Sequence, residues 1–190
     1  MIDQRVRPRV QWLLDPIGGS LAHMGVTPQF MTLFGLTITV GGAVLIGLGY
    51  LRIGAAVALL GALLDGLDGS VARAGGSVTP RGAFLDAASD RIGEIAVFAG
   101  LAVARAGNRR ELLLIVLAIG GATLVPYLRA KAEAVGLNGK AGFMGRAERV
   151  ILFSVGLILG FIEPMLWVMV AATWFTAGQR FFDTYHAIEP

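Results

Sequence analysis

Asp65, Asp68, Asp86 and Asp90 stand within LLDGLDGSVARAGGSVTPRGAFLDAASDRIGE, the stretch from Leu63 to Glu94, which is flanked by strongly apolar runs. An ionised carboxylate in hydrocarbon is costly, so such residues face a bundle interior or a watery cavity and mark a functional path. Asp65 and Asp68 are spaced i,i+3, and Asp86 and Asp90 i,i+4, which places each pair on one face of a helix. A short Gly/Arg/Pro linker between them turns the chain back and can bring the two faces together. Four converging carboxylates repel one another unless cations sit between them. Hard oxygen ligands suit Mg²⁺, Mn²⁺ or Ca²⁺, and Mg²⁺ is usually shared with substrate phosphates. The stretch therefore reads as a divalent-metal site at one membrane face. Gly66 and Gly69 leave room beside the aspartates for phosphates or for a neighbouring backbone. Glu94 continues the i,i+4 ladder and is expected to be a hydrogen-bond partner rather than a ligand.

The elements that must position these groups are apolar helices. Of 190 residues 55% are hydrophobic, the mean hydropathy is +0.71 and there are 27 glycines. That combination excludes a water-soluble domain and points to a polytopic all-α membrane protein whose small residues let helices approach closely. The length argues for a single domain, 1–190, and the absence of cysteine excludes disulfides and thiolate metal sites. The start, MIDQRVRPRVQWLLDP, lacks the apolar core of a cleavable signal peptide. Residues 3–22 space Val6, Val10, Leu13, Leu14, Ile17 and Leu21 as an amphipathic helix on an anionic leaflet, with Arg5, Arg7 and Arg9 at its start. A bundle over 28–186 follows, with six spans expected near 28–50, 52–64, 81–103, 112–131, 150–161 and 165–181. Thr27 before Pro28 is a helix start. The positive-inside rule puts both termini and the carboxylates in the cytoplasm, with Arg52, Arg105, Arg109 and Arg110 opposite. The 105–110 cluster fits that rule least well.

The order Asp65-x-x-Asp68-Gly69-x-x-Ala72-Arg73, eight residues, Gly82, three residues, Asp86, three residues, Asp90 resembles in full the signature of the CDP-alcohol phosphotransferase family. The resemblance covers essentially the whole chain. It implies a six-helix membrane enzyme, usually a homodimer, with a preceding juxtamembrane helix and a cytoplasmic-face cavity. It also implies transfer of a substituted phosphate from a CDP-linked donor, commonly CDP-diacylglycerol, to an alcohol with release of CMP. Two cations, Mg²⁺ or Mn²⁺, held by the carboxylates would neutralise the diphosphate. By the same resemblance Asp65, Asp68 and Asp86 are metal ligands. Asp90 is the general base and a further metal contact. Gly69, Ala72 and Gly82 make room for the nucleotide. Arg73 binds the diphosphate or, alternatively, only sets topology. Thr32 closes a Thr27-Pro28-x-x-x-Thr32 turn that lies near the cytidine end in the family.

YLRAKAEAVGL followed by FMGRAERVIL resembles the prokaryotic phosphatidylinositol-phosphate synthases of that family. Their basic pocket for the phosphate of inositol 1-phosphate corresponds to Arg129, Arg149 and Arg180, with Arg129 standing where Lys is usual. Three cations from separate helices suit a phosphorylated small alcohol and not serine. Glycerol 3-phosphate is the competing acceptor, and anchoring of anionic membrane lipids is the competing role for the cations. No nucleic-acid partner is expected. A cation transporter would need acids at mid-membrane and a second copy of the motif, and neither is present. A di-iron bundle would need Glu-x-x-His pairs, which His23 and His186 do not supply.

Overall fold

The computed structural model describes residues 14–139 and 141–188, and every regular element among them is helical. Helix α1 covers 14–23, so the residues 3–13 of the expected amphipathic helix lie outside the described residues. There follow α2 (Pro28–Gly47), α3 (Leu51–Asp65), α4 (Asp68–Ala74), α5 (Pro80–Ala104), α6 (Arg109–Ala134), α7 (Arg146–Leu159) and α8 (Ile162–Ala187). The described residues form two compact units, one within 14–104 and one within 105–188.

In the first unit α2 packs on α3, α4 and α5. It begins as its sequence dictates: Thr27 caps it by accepting from the Phe30 amide at 3.2 Å, and Pro28 takes the first turn, where its missing N–H costs nothing. Glycines set the spacing. A Cβ on Gly54 would lie 2.7 Å from the Gly42 carbonyl oxygen, and one on Gly42 the same distance from that of Gly54. One on Gly35 would lie 2.8 Å from the Cβ of Asp65, and one on Gly100 would collide with the carbonyl of Ala43. The helices meet backbone to backbone, as small residues permit in a membrane bundle. Helix α1 seats Leu14, Leu21 and Ala22 against a core of Met31, Leu67 and Val71.

One expectation is corrected here. Asp65 and Asp68 do not share a continuous helix: α3 ends at Asp65 and α4 begins at Asp68. Gly66 caps α3, and the Leu67 amide bonds to the Leu64 carbonyl at 3.1 Å, a tightened last turn.

In the second unit α8 packs on α6 and α7 around Leu114, Ile115, Val125, Phe153, Leu157, Leu166 and Met169. Helix α7 ends in a left-handed Gly160, φ +81°, with the Phe161 amide bonded back to Gly156 at 2.8 Å.

Three helical stretches are long and apolar enough to cross a membrane: Pro28–Gly47, Leu51–Ala74 and Arg109–Ala134. The expected count was six. The shortfall has identifiable causes: α5 carries Asp86, Asp90, Arg91 and Glu94, α7 has only 14 residues, and α8 is diluted by Trp, Thr, Gly and charged residues. The outer surface is nevertheless apolar, with Leu33, Phe34, Ile53, Leu60, Leu113, Val116 and Val168 exposed. A helical membrane protein accounts for that surface.

Candidate metal and substrate sites

Asp65 from the end of α3, Asp68 from the start of α4 and Asp86 from the first half of α5 each offer an oxygen within 4.8 Å of the others. Asp65 is buried and the other two are half-buried. Three like charges this close suit a divalent cation, and an all-oxygen donor set selects a hard one. The break at Gly66–Leu67 and the return through 75–79 thus do what the carboxylate spacing predicts, by a different local geometry.

Asp90 lies outside that trio, half-buried one helical turn beyond Asp86, with Arg91 3.9 Å from its carboxylate. Arg91 also pairs with Glu94, so the ladder's deepest acid is matched by a cation on its own helix.

Thr32 is 98% buried and its hydroxyl donates to the Asp68 carboxylate at 2.7 Å. That hydroxyl carries one proton, and the charge-assisted bond is the stronger use of it than the Pro28 carbonyl at 3.1 Å. Sequence reasoning expected Thr32 near the cytidine and did not foresee that it holds a carboxylate. Gly35, which lets α2 reach Asp65, was also missed; its only sequence signal is one glycine among 27.

Gly69 and Ala72 lie in α4 beside Asp68. A Cβ on Gly69 would sit 3.3 Å from Nη1 of Arg73, close enough that the guanidinium would have to shift slightly to admit a side chain. Gly82 opens α5, and its amide donates to the Thr79 hydroxyl at 3.1 Å. Arg73 donates from Nη2 to Asp15 in α1 and to Ser70, each at 2.9 Å. This bond holds the Asp15 carboxyl below the usual carboxylate range.

The second unit gathers cations. Arg180 is buried, donating from Nε to the Ala141 carbonyl at 2.8 Å and from Nη1 to that of Val125 at 2.6 Å. Arg149 is buried and donates to the Met144 carbonyl at 3.3 Å. Arg129 is exposed and pairs with Glu133 at 2.8 Å. Both Arg129 and Arg149 lie close enough to Arg180 to repel its charge. The loop after α6 lies tight against this group: a Cβ on Gly139 would meet the Arg129 backbone at 2.7 Å, and left-handed Gly142 abuts Thr176. Thr176 in turn accepts from the Met144 amide at 3.2 Å.

Two of the three awkward cations of 105–110, Arg105 and Arg110, have acidic partners. Arg105 pairs with buried Glu111, whose amide Asn108 caps. Arg110 pairs with Glu163 at 2.9 Å and lies over the Trp167 ring at 5.9 Å.

Comparison with known proteins decides the family. Residues 25–178 match the model of the CDP-alcohol phosphatidyltransferases, a stretch that holds both the carboxylates and two of the three arginines. The chain belongs to the CDP-alcohol phosphatidyltransferase family. This CDP-alcohol phosphatidyltransferase is 36% identical over 184 residues to the phosphatidylinositol phosphate synthase of Mycobacterium marinum, covering 90% of this chain and 79% of that one. It is 30% identical over 186 residues to the archaetidylinositol phosphate synthase of Pyrococcus horikoshii, covering 97% of each. The crystal structure of the Mycobacterium tuberculosis phosphatidylinositol phosphate synthase with CDP-DAG bound superposes with a TM-score of 0.85 at 33% identity, covering 93% of this chain and 97% of that one. The same enzyme in complex with manganese and citrate gives 0.84 at 34% identity, covering 93% and 92%.

Proposed function

We propose that this CDP-alcohol phosphatidyltransferase moves a phosphatidyl-type group from CDP-diacylglycerol to the hydroxyl of inositol 1-phosphate, releasing CMP. The observation that carries the reading is the trio Asp65, Asp68 and Asp86, with oxygens within 4.8 Å, in a family built to use them. The donor set fits Mg²⁺ or Mn²⁺, and the manganese-bound relative supports a divalent ion here. When bound, the ions, probed best as a pair, would neutralise the donor diphosphate and the departing phosphate. Asp65, Asp68 and Asp86 would hold them. Thr32 fixes the orientation of Asp68. Arg73, with Gly69, Ala72 and Gly82 leaving space, binds the donor's diphosphate. Asp90 accepts the proton of the acceptor hydroxyl as its oxygen bonds to the lipid-side phosphorus and the P–O bond to CMP breaks. Arg129, Arg149 and Arg180 bind the acceptor's phosphate, a group that charge-assisted hydrogen bonds recognise strongly.

The same reading makes the two units parts of one domain, 1–190. It gives six spans over 28–186, an interfacial helix at 3–22, and carboxylates and both termini on the cytoplasmic side of the cell membrane. A homodimer is the assembly it favours. Incubation of purified protein with CDP-diacylglycerol, Mg²⁺ and either inositol 1-phosphate, glycerol 3-phosphate, free inositol or serine tests it. CMP release with inositol 1-phosphate alone is expected. Release with glycerol 3-phosphate instead would reassign the arginines' ligand.

A further inference from the structure

Helix α1 meets α4 at two successive rungs. Gly18 lies so close to Ser70 that a Cβ there would be 2.6 Å from the serine Cβ, and three residues earlier Asp15 bonds to Arg73, three residues beyond Ser70. One face of α1 is thus matched to one face of α4, the helix that begins with Asp68. The contact is further fixed by Leu14, Leu21 and Ala22 packing on Leu67 and Val71. On Arg73 the bonding is one-sided. Among the described residues Asp15 and Ser70 occupy the two protons of Nη2, while Nη1 is turned over Gly69, 3.3 Å from where a side chain would begin. A long, half-exposed arginine held by a single bond would sample several rotamers. Held by two acceptors on one nitrogen, it presents the rest of its fork in a fixed direction.

We propose that Asp15 is a positioning residue of the donor site, which clamps Nη2 of Arg73 so that Nη1 stays over Gly69 to meet the donor's diphosphate. The proposal rests on the reading of Arg73 as a diphosphate ligand. It makes α1 part of the substrate-binding apparatus in addition to a membrane-surface element. Asp15 itself touches no substrate and acts through Arg73.

The test is steady-state kinetics of CMP release by the purified full chain, with CDP-diacylglycerol and the acceptor varied separately. It compares Asp15→Asn, Asp15→Glu, Arg73→Lys and the double variant Asp15→Asn/Arg73→Lys. Asp15→Asn is expected to raise the donor KM about two- to fivefold, the size of a solvent-exposed charge pair, and to leave the acceptor KM unchanged. Asp15→Glu should recover most of that loss. In the Arg73→Lys background the Asn substitution should add less than about twofold, because the group it positions is gone. If Arg73→Lys raises the donor KM and Asp15→Asn does not, or Asp15→Asn lowers it, the clamp is wrong while the role of Arg73 stands. If Arg73→Lys also leaves the donor KM unchanged, the diphosphate reading of Arg73 fails and the clamp with it. A loss in Asp15→Asn spread equally over both KM values and kcat, with a lowered melting temperature, assigns Asp15 a structural role only and overturns the proposal.

Discussion

The two units handle charge in opposite ways. In residues 14–104, three carboxylates from three helices bring oxygens within 4.8 Å of one another, an arrangement that a cation among them would stabilise. In residues 105–188, three arginines also gather, but buried Arg149 and Arg180 spend donors on the main-chain carbonyls of Met144, Ala141 and Val125. Arg129 spends its own on Glu133. The acidic group gathers like charge that suits a cation, whereas the basic group is pinned mainly to main-chain carbonyls. A guanidinium has five donors, so two can anchor it while others recognise phosphate, and Asp68 likewise accepts from Thr32 while its carboxylate still faces the other two.

Breaking the acidic side should cost most. Asp68→Asn is expected to lower CMP release by on the order of a thousandfold or more, as is chelation of divalent ions by EDTA, and only the latter should be reversed by adding Mg²⁺. Manganese binding followed by electron paramagnetic resonance would show whether the variant loses the ion. On the basic side, Arg180→Ala should raise the acceptor KM roughly ten- to hundredfold, with a smaller change in donor KM, since it removes charged hydrogen bonds to one substrate. A donor-confined effect would dissolve the contrast between the units. Thr32→Val keeps shape and removes the hydrogen bond to Asp68, so a fall in kcat of about tenfold is expected, together with weaker metal binding. Smallest of all, Arg110→Ala should leave turnover unchanged and cost about 0–1 kcal/mol of stability, because its bridge to Glu163 is solvent-accessible.

Much of the acidic side was legible because its information is local. Four aspartates and the glycines beside them lie within 26 residues, so spacing alone specifies which atoms can meet. What it left out is the break between Asp65 and Asp68, where Gly66 keeps right-handed backbone angles and the spacing of the aspartates reads the same as in an unbroken helix. The bond from Thr32 to Asp68 spans 36 positions and that from Arg73 to Asp15 spans 58, and no periodicity reports a contact at that range. The membrane count is less legible for a related reason: by length and composition three helical stretches stand out as spans, and α5, α7 and α8 do not. Some of the charge on α5 and α8 is answered by pairing, Arg91 with Glu94 and Glu163 with Arg110. Arg105 and Arg110 look misplaced in sequence for the same cause, since Glu111 and Glu163 answer them from farther along the chain.

Gly35 carries no side chain, yet a single methyl there would reach the Cβ of Asp65. Its tolerance to substitution is therefore set by the chemistry of a residue thirty positions away. Among randomly varied copies of this gene, the positions least free to drift would include several that bind nothing. An inventory of invariant residues would count them as catalytic, though their whole contribution is to be small.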